Sequence, residues 1–297
     1  MRVPVVLGGM RLRARLRRWV LAVLNPDGRT HPIFLDYPVD SAPRYGWGRP
    51  PHPQIQAILE EGRARYDAEL HRLLAYQDAL QRIPRDMPGN LRDPFWNNQS
   101  IPALDCAALY GLLCQHRPRR YVEVGIGSST RFARRAISDH ALPTRIIGID
   151  PYADAAFHPL CDEMIALPLE KVDLDLFDQL EAGDILFVDN SHRVFMNSDA
   201  TVFFMDILPR LKPGVLVQIH DIAWPVDYPP HWVDKYYSEQ YLLGAYLLAG
   251  GHRFDVVLPC AFVSLDDDLK TVLEPVWRHP SFDGVHTHGA SFWLEMR

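Results

Sequence analysis

The chain has 297 residues. It contains no run of about 20 apolar residues, so nothing in it reads as a membrane-spanning helix and no stable membrane insertion is expected. CxxC spacing is also absent. Cys106, Cys114, Cys161 and Cys260 are scattered, which excludes a zinc knuckle or a disulfide framework and reads as reduced, mostly buried thiols in a cytoplasmic protein. There is no internal repeat and no low-complexity tract. A net charge of -6 gives no global drive towards nucleic acid. Before Asp27 there is not one acidic residue, while Arg2, Arg11, Arg13, Arg15, Arg17 and Arg18 all fall there. The apolar run that follows, Trp19 to Leu24, is too short for a signal peptide's core of about 7 to 15 residues and has no small-residue cleavage site. A solvated helix or partner-docking arm is the expectation, with a basic helix lying on a membrane surface as the alternative. What is present in quantity is apolar side chain, 47% of residues, enough for a sizeable buried core.

The densest local signal is YVEVGIGSST, Tyr121 to Thr130. A short apolar strand runs into an acidic residue, a Gly-x-Gly turn and hydroxyl residues suited to opening a helix. Glycine at 125 and 127 lets the backbone approach a bound ligand. The third glycine of the dinucleotide fingerprint is missing, because position 130 is Thr, which points away from NAD and towards S-adenosylmethionine. The acidic-x-Gly-x-Gly pattern resembles the first motif of class I S-adenosylmethionine-dependent methyltransferases. Glu123, Gly125, Gly127, Ser128 and Ser129 are the candidate cofactor residues.

Three further apolar runs follow at helix-sized intervals. RIIGI (145–149) is closed by Asp150, 23 residues after Gly127. An acid there can accept two hydrogen bonds from a ribose diol, and Asp150 joins the cofactor set. DILFV (184–188) ends at Asp189, and VLVQI (215–219) ends at His220 and Asp221. Such spacing predicts right-handed crossovers and a parallel sheet, with ligands at the carboxyl ends of the strands.

GDILFVDNSHR (183–193) and KPGVLVQIHDI (212–222) are similar to the metal-dependent branch that includes macrocin-type O-methyltransferases and cephalosporin-hydroxylase-like proteins. The similarity covers roughly residues 101–297. It implies a Rossmann-like methyltransferase fold, a mostly parallel seven-stranded sheet with helices on both faces and a closing antiparallel strand. It also implies a divalent metal held by Asp189 and by the pair His220 and Asp221, with His192 as general base. His220 departs from the branch, which usually has glutamate there, so the metal could be Mg, Mn or Fe.

Elementary chemistry supports the same cluster. If the strands ending at Asp189 and Asp221 are neighbours, their ends lie about 5 Å apart. Two carboxylates in a cleft repel each other, and a divalent cation removes that cost. Oxygen donors favour Mg or Ca, and imidazole shifts the preference towards Mn, Fe or Zn. A metal there would lower the pKa of a substrate hydroxyl, with Asp189 and His192 as the catalytic pair. The alternative is that the acids cap helices and turns and the histidines are interior polar groups.

Elsewhere the signals are weaker. Thr30 to Pro53 is rich in proline, glycine and aromatics and reads as an extended connector. Apolar spacing predicts one long or two short helices over 54–83, and another over 101–116. These divide the chain into an arm, connector and helical cap (1–100) and an S-adenosylmethionine-binding domain (101–297). Trp224 to Tyr237 is an aromatic insertion that would wall a small-molecule acceptor pocket or pack onto the core. Leu242 to Leu248 reads as a core helix. FDVVLPCAFVS (254–264) and ASFWLE (290–295) read as a closing pair of strands, and His286 and His288 as surface residues. The N-terminal region is where a second copy of the chain could dock. Two other classes of activity fit the same residues: a non-haem iron oxygenase using His192, His220 and an aspartate, and a non-catalytic S-adenosylmethionine-binding protein.

Overall fold

The computed structural model describes residues 39–250 and 253–297, together with Val20 and Val23. The Arg-rich stretch and residues 30–38 of the connector therefore lie outside the described residues. Residues 43–297 form one compact unit.

Its centre is a seven-stranded sheet of order β3-β2-β1-β4-β5-β7-β6. The strands are β1 (Arg120–Val124), β2 (Arg145–Ile149), β3 (Glu163–Ile165), β4 (Ile185–Val188), β5 (Leu216–Ile219), β6 (Phe254–Pro259) and β7 (Phe292–Met296). The pairs from β3 to β5 are parallel, while β7 runs antiparallel to both β5 and β6. Central strands β4 and β5 are buried along their whole length, which is why they appear in the sequence as unbroken apolar runs. Chain order reverses between β1 and β4, so the loops after these strands diverge and leave a crevice.

Two expectations need correction. Residues 254–264 do not form one strand: β6 stops at Pro259 and a helix runs Cys260–Leu265. Proline fixes its own φ and cannot continue the ladder, so apolar side chains beyond it bury themselves on a helix instead. The sequence also gave no sign of β3, whose three residues are all at least partly exposed. The helical stretch 54–83 resolves into Pro53–Glu60, Arg63–Leu73 and Gln77–Gln81. Ile55, Leu59, Leu70, Leu73 and Leu80 from it enter the same core as the sheet. Helix Ala103–His116 is buried on nearly every side, and Glu239–Ala249 covers the expected core helix.

Two backbone hydrogen bonds tie the turn after β1 to its neighbouring strands. Gly125 donates to Ile149 O (3.0 Å), and Asp189 donates to Val124 O (2.9 Å). Gly125 has φ +81°, and a Cβ there would drive into the Asp189 carbonyl oxygen. A methyl at Gly127, by contrast, meets nothing within 4 Å. Gly125→Ala is accordingly expected to cost about 2 kcal/mol or more of stability, and Gly127→Ala less than about 1 kcal/mol, in urea unfolding. Equal midpoints for the two variants would contradict this packing.

Candidate active site

Two cavities meet above the carboxyl ends of the parallel strands. The first, of about 350 Å³, is lined by Gly125, Gly127, Ser128, Ser129, Asp150 and Asp189, together with Ser100, Ile101, Ile126 and Asn190. Five of the six residues expected to bind cofactor thus share one pocket. Glu123 does not line it. It is fully buried behind the turn and accepts a hydrogen bond from Ser129 Oγ. Burial raises its carboxyl to about 8 against the opposing pull of the hydroxyls of Ser129 and Thr130, so it is largely protonated at neutral pH. The backbone N–H of Gly127 donates to Thr130 Oγ1 at 2.9 Å, closing the start of helix Ser128–Asp139. The residue that replaces the third glycine is thus a helix-capping side chain.

The second cavity, of about 340 Å³, shares Ser100 and Ile101 with the first and reaches Asp221, with Trp96, Trp232 and His288 in its walls. His286 and His288, read from the sequence as surface residues, face each other here with ring centroids 5.6 Å apart.

Where these cavities adjoin, β4 and β5 deliver a charged cluster. Val188 pairs with Ile219, so Asp189 and His220 follow side by side. His220 Nδ1 lies 3.6 Å from Asp189 Oδ1 and 3.3 Å from Asp221 Oδ1. His192 Nε2 lies 3.1 Å from Asp189 Oδ1 and 3.5 Å from Asp221 Oδ2. All four residues expected to carry metal or catalysis are therefore in mutual reach. His192 has φ +59° and Asp221 φ +52°, a region that costs a non-glycine residue on the order of 1 kcal/mol and persists where the surroundings enforce it. For His192 that support is visible: its N–H donates to Asn190 Oδ1 (2.7 Å), and its carbonyl accepts from Ser238 (2.8 Å) and Glu239 (3.3 Å).

Sequence reasoning missed the carboxylates behind the histidines. Glu239, fully buried at the start of helix Glu239–Ala249, hydrogen-bonds His192 Nδ1. Asp105, 1% exposed, stands 3.6 Å from His220 Nε2 and accepts from the backbone of Ala290 (2.8 Å) and Ser291 (3.0 Å). Each imidazole thus turns one nitrogen to a buried carboxylate and the other to Asp189 and Asp221, as metal-ligating histidines commonly do. Only an acid inside an apolar helix, as Asp105 is, could have signalled this from sequence.

The electrostatics follow. Burial works to lower the pKa of His192, but the charge of Glu239 and contact with Asp189 raise it to about 10. His220 is likewise raised, burial being outweighed by Asp189, Asp221 and Asp105. Asp189 and Asp221 would be pushed up by burial, yet the imidazoles hold both below the usual carboxylate range. Among the described residues no three such side chains stand open as a ready-made metal cage. As placed, the imidazoles and carboxylates face one another as ion pairs, while His220 Nε2 has no hydrogen-bond partner. Their chemistry, two carboxylates and two backed imidazoles, nevertheless suits a divalent cation once the imidazole protons leave.

A parallel sheet with an antiparallel seventh strand, a glycine turn after β1 and an acid after β2 make up a Rossmann-like methyltransferase fold. Residues 122–222, which include Asp189, His192, His220 and Asp221, match the family described as Methyltransferase domain. No curated protein matches the chain. Among solved structures it is similar to a Podospora anserina methyltransferase bound to SAH (S-adenosylhomocysteine), at 15% identity over 76% of this chain and 88% of that one, TM-score 0.38. An O-methyltransferase from Bacillus cereus with SAH gives 13% over 77% and 91%, TM-score 0.37. The MycE methyltransferase of mycinamycin biosynthesis, with Mg, SAH and mycinamycin VI, gives 17% over 62% and 47%, TM-score 0.36. Likeness of this degree assigns no residue a role.

In chelator-treated protein the raised His192 pKa adds stability that is complete below about pH 6.5 and is lost as pH rises towards 10. Glu239→Gln should flatten this loss, and Glu239→Ala should cost about 3 kcal/mol by leaving His192 buried without its partner. Urea midpoints between pH 6 and 10 measure both. Glu123 has the same sign over a lower window: its stabilisation fades from about pH 4.5 to 8, and Glu123→Gln should remove that fade.

Proposed function

We propose that this methyltransferase domain transfers the methyl group of S-adenosylmethionine to a hydroxyl of a small molecule, with a divalent cation at Asp189, Asp221 and His220. The observation that carries the reading is that two cavities sharing Ser100 and Ile101 reach the histidine–aspartate cluster from two sides, one at Asp189 and the other at Asp221. The cofactor would occupy the pocket of Gly125, Gly127 and Asp150, its methyl directed towards the cavity that reaches Asp221. When bound, the cation supplies Lewis acidity that lowers the pKa of the acceptor hydroxyl.

The chain's own residues do the rest. Asp150 stands at the strand end where a ribose diol is held. Asp189, whose side chain is 38% exposed, lines the first cavity, and Asp221 lines the second. Trp96 and Trp232 wall the acceptor space, and the abutting cavities hold acceptor and cofactor together, the positioning that in-line displacement requires. His192 receives the proton at Nε2 while Glu239 holds Nδ1 and fixes the tautomer. In the ligand-free protein His192 already carries a proton at neutral pH. Its role as base therefore requires that proton to leave, and positive charge arriving beside Asp189 weakens the carboxylate field that retains it.

The imidazole among the carboxylate donors shifts the preference towards Mn or Fe over Mg. It is also the observation that keeps an iron-dependent oxygenase as a second reading. Consumption of O₂ with bound iron, and no methyl transfer, would decide for that reading.

Cation binding should expel protons. Calorimetric titration of Mn²⁺ into the SAH complex near pH 7 should thus give heats that vary with buffer ionisation enthalpy. His192→Ala should bind SAH unchanged, release fewer protons and lose about 100-fold or more in methyl transfer to a diol acceptor. Full transfer activity in His192→Ala, or undiminished transfer in EDTA, would overturn the proposal.

A further inference from the structure

The insertion between β5 and helix Glu239–Ala249 carries aromatic side chains beyond what its packing needs. Trp224 and Tyr228 are buried. Trp224 donates to Gln240 O, and Tyr228 Oη accepts from Gln240 N. Trp232 and Tyr237 are only partly covered. With Tyr228 they form a three-ring group whose centroids lie 5.5 to 6.1 Å apart. Against this group sits the insertion's own Lys235, with Nζ 3.8 Å from the Trp232 centroid and 4.9 Å from that of Tyr237. Tyr237 in turn packs against His192, centroids 4.5 Å apart, and Trp232 also lines the cavity that reaches Asp221.

Two electron-rich faces converging on one ammonium are the geometry by which aromatic cages bind organic cations. The occupant here is a flexible, half-buried lysine on a four-carbon stem, which can swing out into solvent. The cavity beside it is lined by Asp221 and, among the described residues, by no lysine or arginine, and Tyr237 already receives a second cation, the Arg193 guanidinium 5.2 Å from its ring centroid.

We propose that Trp232 and Tyr237 form a cation-recognition subsite for an acceptor bearing a tertiary amine or quaternary ammonium, and that Lys235 fills this subsite until the acceptor displaces it. The inference rests on the transferase reading in that it names the chemistry of the acceptor, but its test needs no turnover. An acceptor so held would lie with its cationic end one aromatic ring away from His192. Lys235 then acts as an internal competitor that raises the threshold for binding.

The test uses the full chain with SAH present and two probes of the same shape: choline, and 3,3-dimethylbutan-1-ol, in which carbon replaces the charged nitrogen. Tryptophan fluorescence or calorimetry follows binding, and thermal melts confirm that each variant is folded. Lys235→Ala should bind choline more tightly than the wild-type protein does, and should prefer choline to the neutral probe by about fivefold. Adding Trp232→Leu to Lys235→Ala should abolish the preference. If Lys235→Ala binds both probes alike, or binds choline no better than wild type, the subsite is wrong. SAH binding measured in the same samples separates the two failures. Bound SAH without a choline preference overturns the subsite alone, whereas absent SAH binding overturns the transferase reading beneath it.

Discussion

Four carboxylates and two imidazoles share the space above β4 and β5, and the acids outnumber what the histidines can neutralise. Even with His192 and His220 both charged, Asp105, Asp189, Asp221 and Glu239 in ionised form leave two negative charges in a largely dry site. Burial of that excess is costly unless something positive arrives. A divalent cation matches the deficit in charge, and the cofactor's sulfonium would enter beside it. The raised imidazoles and depressed aspartates are the ligand-free protein's partial answer to the same imbalance.

Much of the surrounding architecture serves to hold this cluster together. Asp189 and His220 arrive by the parallel register of two buried strands. Asp105 comes from a helix that precedes the whole sheet, and its carboxylate also ties down residues 290 and 291 leading into β7. Glu239 opens the helix after the aromatic insertion, whose first backbone groups clasp the loop carrying His192. The left-handed conformations of His192 and Asp221 are sustained because four separate segments converge on them. On the other side of Asp189, Gly125 allows the ends of β1 and β4 to approach so closely that the pocket of Gly125 and Asp150 runs up to the cluster.

How legible this was in the sequence depended on the range of the interaction. Buried parallel strands announce themselves as apolar runs, and the acids and histidine at their ends are local to those runs, so Asp150, Asp189, His220 and Asp221 could be placed in advance. Glu239 lies 47 residues from His192, just past an insertion whose aromatics drew attention away from it. Asp105 sits on a helix with no periodic polar face that could have marked it. Residues 260–264 looked like strand because their side chains are mostly apolar. Only Pro259 signalled the change, and its meaning depends on which ladder position it blocks. Glu123 was legible as part of the motif, but its place behind the turn rather than in the pocket follows from the pleat and from Ser129, which spacing alone does not show.

The central claim is that a cation and S-adenosylmethionine share the site formed by β1, β4 and β5. Anomalous diffraction from crystals of the protein grown with SAH and Mn²⁺ tests it most directly. The account predicts SAH in the pocket of Gly125 and Asp150, and a single strong manganese peak bonded to Asp189 and Asp221, with the imidazole–carboxylate ion pairs broken. SAH bound with those ion pairs intact and no manganese between the two aspartates would contradict it.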